Sequence, residues 1–275
     1  MNRKKLLISL AMAMLSMAGQ AADNLPALRV QGKNLVDANG KTVVLHGVMD
    51  TPNRYFNGWR WQQWKADYSE ADIKPCLEYF SKQFKAITDR EQGAYCTVFR
   101  LHMDPCWTND PTKKAENEAD ISAFNMARYR LYLQKLYIPI IKDAIAHGLY
   151  VIVRPPGVCP QDISVGDKYS RYLKSVWKAF AADEYIQQNS GLISIELANE
   201  PVRVHLGDGS NSDKALHDYF QPVVDVIREQ VSKESFGYRV PVIRANIRIT
   251  PSILSPIART ISLMPCMFIP DGMEI

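Results

Sequence analysis

Leu149-Tyr150-Val151-Ile152-Val153 is an apolar run without the polar alternation of a half-buried strand. Such a run fits a parallel strand covered on both faces. Gly148 stands just before it as a helix stop, and Ile121 to His147 carries the spacing of one long helix. Outward from this point the strand-then-helix order repeats. Val43 to Val48 and Cys96 to Leu101 read as earlier strands. Between them Ala71 to Ile87 reads as a helix, with Ile73, Leu77, Phe80 and Phe84 along one face. Downstream, Tyr169 to Ile186 reads as a helix and Leu192 to Ala198 as a strand. Asp213 to Arg228 is again helical, with Ala215, Tyr219, Val223 and Ile227 on its apolar face. Ahead of all of these, Leu28 to Leu45 reads as a hairpin turning at Asn39-Gly40. Four such units predict a parallel sheet, either a (β/α)8 barrel or a doubly wound sheet. No Gly-x-Gly-x-x-Gly or phosphate loop favours the second.

The 275-residue chain is 47% hydrophobic with ordinary Gly and Pro content, which suits one large α/β domain or two small ones. Its formal charge of +4 suggests a nucleic-acid partner until the distribution of charge is read. Arg3, Lys4 and Lys5 precede an apolar run from Leu6 to about Met17, and Ala18, Gly19, Ala21 and Ala22 follow. That is the layout of a secretory signal peptide. The run is short of the ~20 residues a membrane span needs. Residues 1–22 are therefore expected to be cleaved, leaving a secreted or periplasmic protein with no membrane attachment. Residues 231–275 also carry more basic than acidic groups, so Asp23 to Gln230 is close to neutral. No basic footprint for nucleic acid remains. Cys76, Cys96, Cys106, Cys159 and Cys266 are odd in number and lack metal-ligand spacing. No metal or cofactor is expected, and Cys96 reads as a buried small apolar residue.

In a parallel barrel, functional side chains gather at the C-terminal ends of the strands. Arg100, Arg154 and Asn199-Glu200 stand at those ends in this reading. Glu200, followed by Pro201, is either a carboxylate held on a stiff turn at the mouth or a charge capping the next element. The apolar strand before it favours the first. Asn199 brings a donor and an acceptor that can orient a ligand hydroxyl. Trp59, Trp61 and Trp107 are either sugar-stacking platforms or packing aromatics. His46 and His102 are either ligand contacts or satisfied core groups.

These residues carry a family resemblance. Ile193-Ser194-Ile195-Glu196-Leu197-Ala198-Asn199-Glu200-Pro201 resembles the fourth strand of glycoside hydrolase family 5, the cellulase family. Val98-Phe99-Arg100-Leu101 is similar to the family strand whose Arg lies beside the nucleophile. Leu45-His46-Gly47-Val48 resembles the first strand, and Leu149 to Val153 the third. The resemblance spans Val43 to Gln230 and implies about four βα units of a (β/α)8 barrel, within a segment 23–230. It breaks at Arg154-Pro155-Pro156, where many members end strand three on an Asp-x-His-like motif. It implies retaining hydrolysis of O-glycosidic bonds in a plant-type polysaccharide of the β-glucan or mannan class. Glu200 is then the acid/base, and a second carboxylate about 5 Å away attacks the anomeric carbon. Asn199 bonds the sugar 2-hydroxyl, and Arg100 keeps the nucleophile ionised. A polysaccharide or oligosaccharide is the expected partner, and the intact protein is expected to be a monomer. The alternative is a non-catalytic carbohydrate-binding protein using the aromatic segment from Tyr55 to Trp64.

The second carboxylate is missing from the sequence pattern. The family nucleophile is a Glu on strand seven, and neither Glu234, Asp271 nor Glu274 ends a convincing strand. Periodicity stops near Gln230, which predicts the fourth strand as an unpaired edge. One base added after the Gln230 codon lets residues 231–244 be read as an apolar strand with a Gly-rich exit. In the same frame residues 260–274 can give a His-x-Tyr-Pro-Gly run like strand six of the family. The codons of Met264-Pro265, Met267-Phe268 and Met273-Glu274 force Ala, Val and Gly there. Residues 231–275 are accordingly expected to be an out-of-frame tail, and the chain to be impaired as a hydrolase.

Overall fold

The computed structural model describes residues 25–32, 34–53, 68–231 and 242–243. The expected signal peptide at 1–22 lies outside them, as do Trp59, Trp61 and the rest of the aromatic segment 54–67. Strands β1 (Arg29–Gln31) and β2 (Asn34–Val36) pair antiparallel. The predicted Asn39-Gly40 turn is present, with the Asp37 carboxylate accepting from the Asn39 and Lys41 N–H groups. The third segment of the predicted hairpin shrinks to a single bridge between Val36 and Thr42.

The barrel strands begin with β3 (Gly47–Asp50), displaced toward the C-terminus from the predicted Val43 to Val48. Gly47 pairs with Val98 at a very close approach, since a Cβ there would lie 1.7 Å from the Val98 carbonyl oxygen. Helix α1 (Glu70–Thr88) starts at a capping box of Ser69 and Asp72, and it buries Cys76, Phe80 and Phe84. Strand β4 (Val98–His102) follows, then the short α2 (Pro105–Thr108). Cys96 precedes β4 and is partly buried at the edge of the core rather than fully inside.

The predicted long helix Ile121 to His147 is interrupted. A 3-10 turn at Ile121–Ala123 leads to α3 (Met126–Tyr132), a π turn at Leu133–Tyr137 and α4 (Ile138–Ala146). Pro139 supplies the cause: it has no N–H to give, and its ring crowds the carbonyl four residues back, so the ladder widens there. Strand β5 (Tyr150–Arg154) is buried at every residue, as the apolar run required. Next come β6 (Asp162–Ser164), α5 (Lys168–Ala181) and α6 (Glu184–Gln188). The break between these helices falls at Asp183, whose side chain caps α6 by accepting from the Ile186 N–H. Strand β7 (Ile193–Glu196), strand β8 (Arg203–His205) and helix α7 (Asp213–Val231) complete the fourth unit.

Strands β3, β4, β5 and β7 are parallel and adjacent in chain order, the arrangement of four successive units of a (β/α)8 barrel. Period-two alternation divides their side chains. Phe99, Leu101, Val151, Val153, Ile193 and Ile195 face the helices in the main core. Val98, Tyr150 and Ile152 face inward and join Leu28 and Leu45 in a second cluster beneath. The amino-terminal segment is tied to this end by Leu28 N–H donating to Gly191 O at 2.8 Å and Tyr150 O–H to Pro26 O at 2.7 Å.

One expectation is corrected. The fourth strand is not an unpaired edge, because β9 (Val242–Ile243) pairs with it in parallel, Ile195 opposite Val242 and Glu196 opposite Ile243. Two residues are enough to satisfy part of that edge's backbone, which is the demand that any exposed strand makes. The remainder of the expected out-of-frame tail lies outside the described residues.

Candidate functional site

The inward-facing positions change character along the strands. At the hairpin end they are apolar; toward the strand C-termini they become Arg100 and His102 on β4, Arg154 on β5 and Glu196 on β7. Register brings them together, with Met49 opposite Arg100 and His102 opposite Arg154.

Arg100 lies in the middle of β4, two residues before its end, and its guanidinium crosses to β7. Its Nε and Nη2 each donate to one oxygen of Glu196 at 2.6 Å, and Nη2 also donates to Asn199 Oδ1 at 3.0 Å. Nη1 lies against Met49 Sδ. Glu196 is 2% exposed and the Arg100 side chain 13%, so this is a buried bidentate pair, the strongest geometry open to these groups. Glu196 was not singled out from sequence. The signal was present, since a charge inside an otherwise apolar parallel strand has only the barrel interior to occupy.

Arg154, also buried, donates from Nη2 to the Gly157 carbonyl at 3.3 Å, while its Nε has no partner among the described residues. Burial pushes its guanidinium down to about 10, with repulsion from Arg100 adding to the effect and Glu196 opposing it. His102 is fully enclosed. Burial holds its pKa well below the ordinary imidazole value, and Arg154 and Arg100 push the same way, against a hydrogen bond with the Gly157 backbone. His102 is therefore neutral, and its Nε2 has no partner among the described residues. Gly157 can serve both neighbours because it adopts φ +78, and a Cβ there would lie 2.4 Å from the Glu118 carbonyl oxygen.

Glu200 is exposed, and it is the one non-glycine residue with positive φ (48°) among the described residues. A left-handed glutamate is strained, and such strain persists only where neighbours fix the chain. They do so here. Trp177 Nε1 donates to Leu197 O at 3.0 Å, and Cys159 N–H to Asn199 O at 3.3 Å. Asn199 itself is buried, with its Oδ1 turned toward Arg100. The rim near Glu200 is reinforced by a small parallel ribbon of β6 and β8, where Asp162 meets Arg203 at 3.1 Å and His205 at 2.8 Å.

Two of the sequence-predicted ligand contacts lie elsewhere. His46 precedes β3 at the opposite end of the sheet, with its backbone paired to Thr97 and its ring exposed. The shift of the first strand carried it away from the mouth. Trp107 is wholly buried, stacked on Tyr68 at 4.9 Å, crossed by Tyr132, and bonded through Nε1 to the Pro52 carbonyl. It is a packing aromatic with no face left for a ligand. Trp59 lies outside the described residues.

Beside the end of β4 lies a cavity of about 610 Å³ lined in part by Asn53, Asp104, Asn109, Asn117 and Glu118. Asp104, overlooked in the sequence, organises this region by accepting from Thr51 Oγ1, Asn53 Nδ2 and the Cys106 N–H. On the outer face, Asp50 ties β3 to α1 through Tyr79 and Gln83 at 2.8 Å each.

Residues 78–235 match the family model described as cellulase (glycosyl hydrolase family 5). Among solved structures, the catalytic domain of a Thermobifida fusca endoglucanase is 21% identical with a TM-score of 0.46, covering 78% of this chain and 53% of that one. A β-mannanase from Thermomonospora fusca is 13% identical with a TM-score of 0.43, covering 80% and 53%. A β-mannanase from Streptomyces thermolilacinus is 11% identical with a TM-score of 0.40, covering 79% and 53%. The chain thus spans about half the length of these structures. No curated protein matches it.

Proposed function

Because the chain belongs to glycosyl hydrolase family 5, the cellulase family, we propose that its lineage performs retaining hydrolysis of O-glycosidic bonds in a β-glucan or mannan, with Glu200 as acid/base. The observation that carries this reading is the juxtaposition around Asn199: an exposed carboxylate on a strained turn, beside an amide bonded to a buried guanidinium. An exposed Glu200 is free to give a proton to a leaving oxygen and later to take one from water. Arg154 stands where many relatives have an Asp-x-His-like ending, so the family's usual sugar contact at that place does not carry over to this chain.

The reading includes an impaired chain. The described residues near Glu200 offer Glu196, but its two oxygens are both committed to Arg100, which makes it a poor nucleophile. We propose that the nucleophile belongs to a reading frame abandoned after the Gln230 codon, and that residues 231–275 are its out-of-frame replacement. The coding DNA tests this: a frame shifted by one base that lacks strands five to eight would end the proposal. Purified 275-residue protein is expected to release no reducing sugar from β-glucan or mannan. Turnover that disappears in Glu200→Gln would show instead that the chain is a working hydrolase. With the frame restored, Glu200→Gln is expected to lower kcat by roughly 10²–10⁴-fold. The proposed site of action is the periplasm or the medium, after removal of residues 1–22, which fractionation of a cell expressing the chain would test.

A further inference from the structure

We infer that Glu196 is a positioning residue that acts through Arg100 to fix the direction of the Asn199 amide; this rests on the reading of Asn199 as a contact to a sugar hydroxyl. An asparagine amide can present either its oxygen or its NH2 to a given neighbour, and its surroundings decide which. Here the neighbour is Arg100, whose Nη2 donates to Asn199 Oδ1 at 3.0 Å. The reversed amide would set N–H against N–H, so the guanidinium selects one orientation.

The guanidinium can select only if it is itself held, and Glu196 holds it through two hydrogen bonds. The carboxylate takes both Nε and Nη2 in a planar fork, which fixes the rotation as well as the position of the group. It comes from the same strand that leads into Asn199, by way of Leu197 and Ala198, so the fork and the amide share one backbone. With Oδ1 taken by Arg100, Nδ2 is the end of the Asn199 amide left to meet a ligand. Asn199 therefore faces a ligand as a donor. The matching ligand atom is an acceptor, such as a hydroxyl oxygen, and a group that can only donate is refused.

Side-chain amide NMR of the full-length 15N-labelled chain tests the relay without any ligand. The Asn199 pair, identified by its loss in Asn199→Asp, is expected to give one set of signals in the parent and to shift or double in Glu196→Gln. Unchanged Asn199 signals in folded Glu196→Gln would overturn the inference. If Glu196→Gln does not fold, Glu196→Asp carries the same comparison, because it keeps the charge but withdraws both oxygens by one methylene. A second measurement compares binding of a β-glucoside with its 2-deoxy analogue. The parent is expected to favour the first by roughly tenfold, the worth of one hydrogen bond, and Glu196→Gln to lose that preference. A preference that survives in Glu196→Gln would also overturn the inference. A parent chain that binds neither sugar would count against the sugar-site reading, while the amide signals would still decide the role of Glu196.

Discussion

Arg100 and Glu196, 96 residues apart in sequence, meet inside the sheet through two hydrogen bonds of 2.6 Å. Glu196, 2% exposed, has almost no water to fall back on. Removing the guanidinium alone, as Arg100→Met, is expected to destabilise the fold by about 3–5 kcal/mol, because Glu196 is left buried without its counter-charge. Glu196→Leu is expected to cost less, since Arg100 keeps its bond to Asn199 and some exposure. The double variant is expected to lose much less than Arg100→Met. Urea unfolding of the three variants against the parent measures this, and equal losses in Arg100→Met and the double variant would contradict it.

The left-handed backbone at Glu200 leads to a second expectation. Glycine at this position relieves a strain of order 1–3 kcal/mol and costs roughly 0.5–1 kcal/mol in chain entropy. Glu200→Gly is thus expected to be about 1 kcal/mol more stable than the parent. Glu200→Gln keeps the strain and, being exposed, is expected to match the parent. Denaturant midpoints distinguish the two.

Gly47 and Gly166 separate steric from conformational need. At Gly166 (φ +84) an added Cβ meets nothing within 4 Å, so Gly166→Ala is expected to cost only about 1 kcal/mol of backbone strain. At Gly47 the added carbon would collide with the Val98 carbonyl across the β3–β4 ladder. Gly47→Ala is expected to give little soluble protein and a circular dichroism spectrum without the native sheet signal.

Trp107 tests packing against ligand contact. Trp107→Ala is expected to cost roughly 3–5 kcal/mol, as for other large aromatic deletions from a core. Trp107→Phe should retain most of the stability. Any oligosaccharide affinity of the folded Phe variant should equal the parent's, as measured by calorimetry.

The neutral, enclosed His102 gives stability a pH dependence. Its folded pKa is depressed, so below the ordinary value of 6.5 the unfolded chain binds a proton that the folded one refuses. Its contribution is complete above 6.5 and is lost as pH falls from there toward the folded value. Unfolding free energies at about pH 7.5, 6.5 and 5.5 should decline in that order, and His102→Asn should flatten that part of the decline.

The order of elements was legible in the sequence because each strand and helix carries its own period. Boundaries were less so. The first barrel strand begins only at Gly47, where it closely approaches Val98, and Pro139 opens the long helix; apolar spacing encodes neither. The same shift explains His46, whose assignment depended on where the strand ended. Asn199, Glu200 and Arg100 were visible as residue types at particular places. Glu196 and Asp104 were not, since their importance lies in partners 96 and 51–53 residues away.

The ribbon of β6 and β8 joins the loop after the third barrel strand to the loop after the fourth, and Cys159 reaches across to Asn199 beside it. The two loops are therefore structurally coupled. Transplanting one from a relative without the other would strand Asp162 or Arg203 and leave a lone extended segment. Diversification of this rim, by evolution or by design, must proceed by matched exchange.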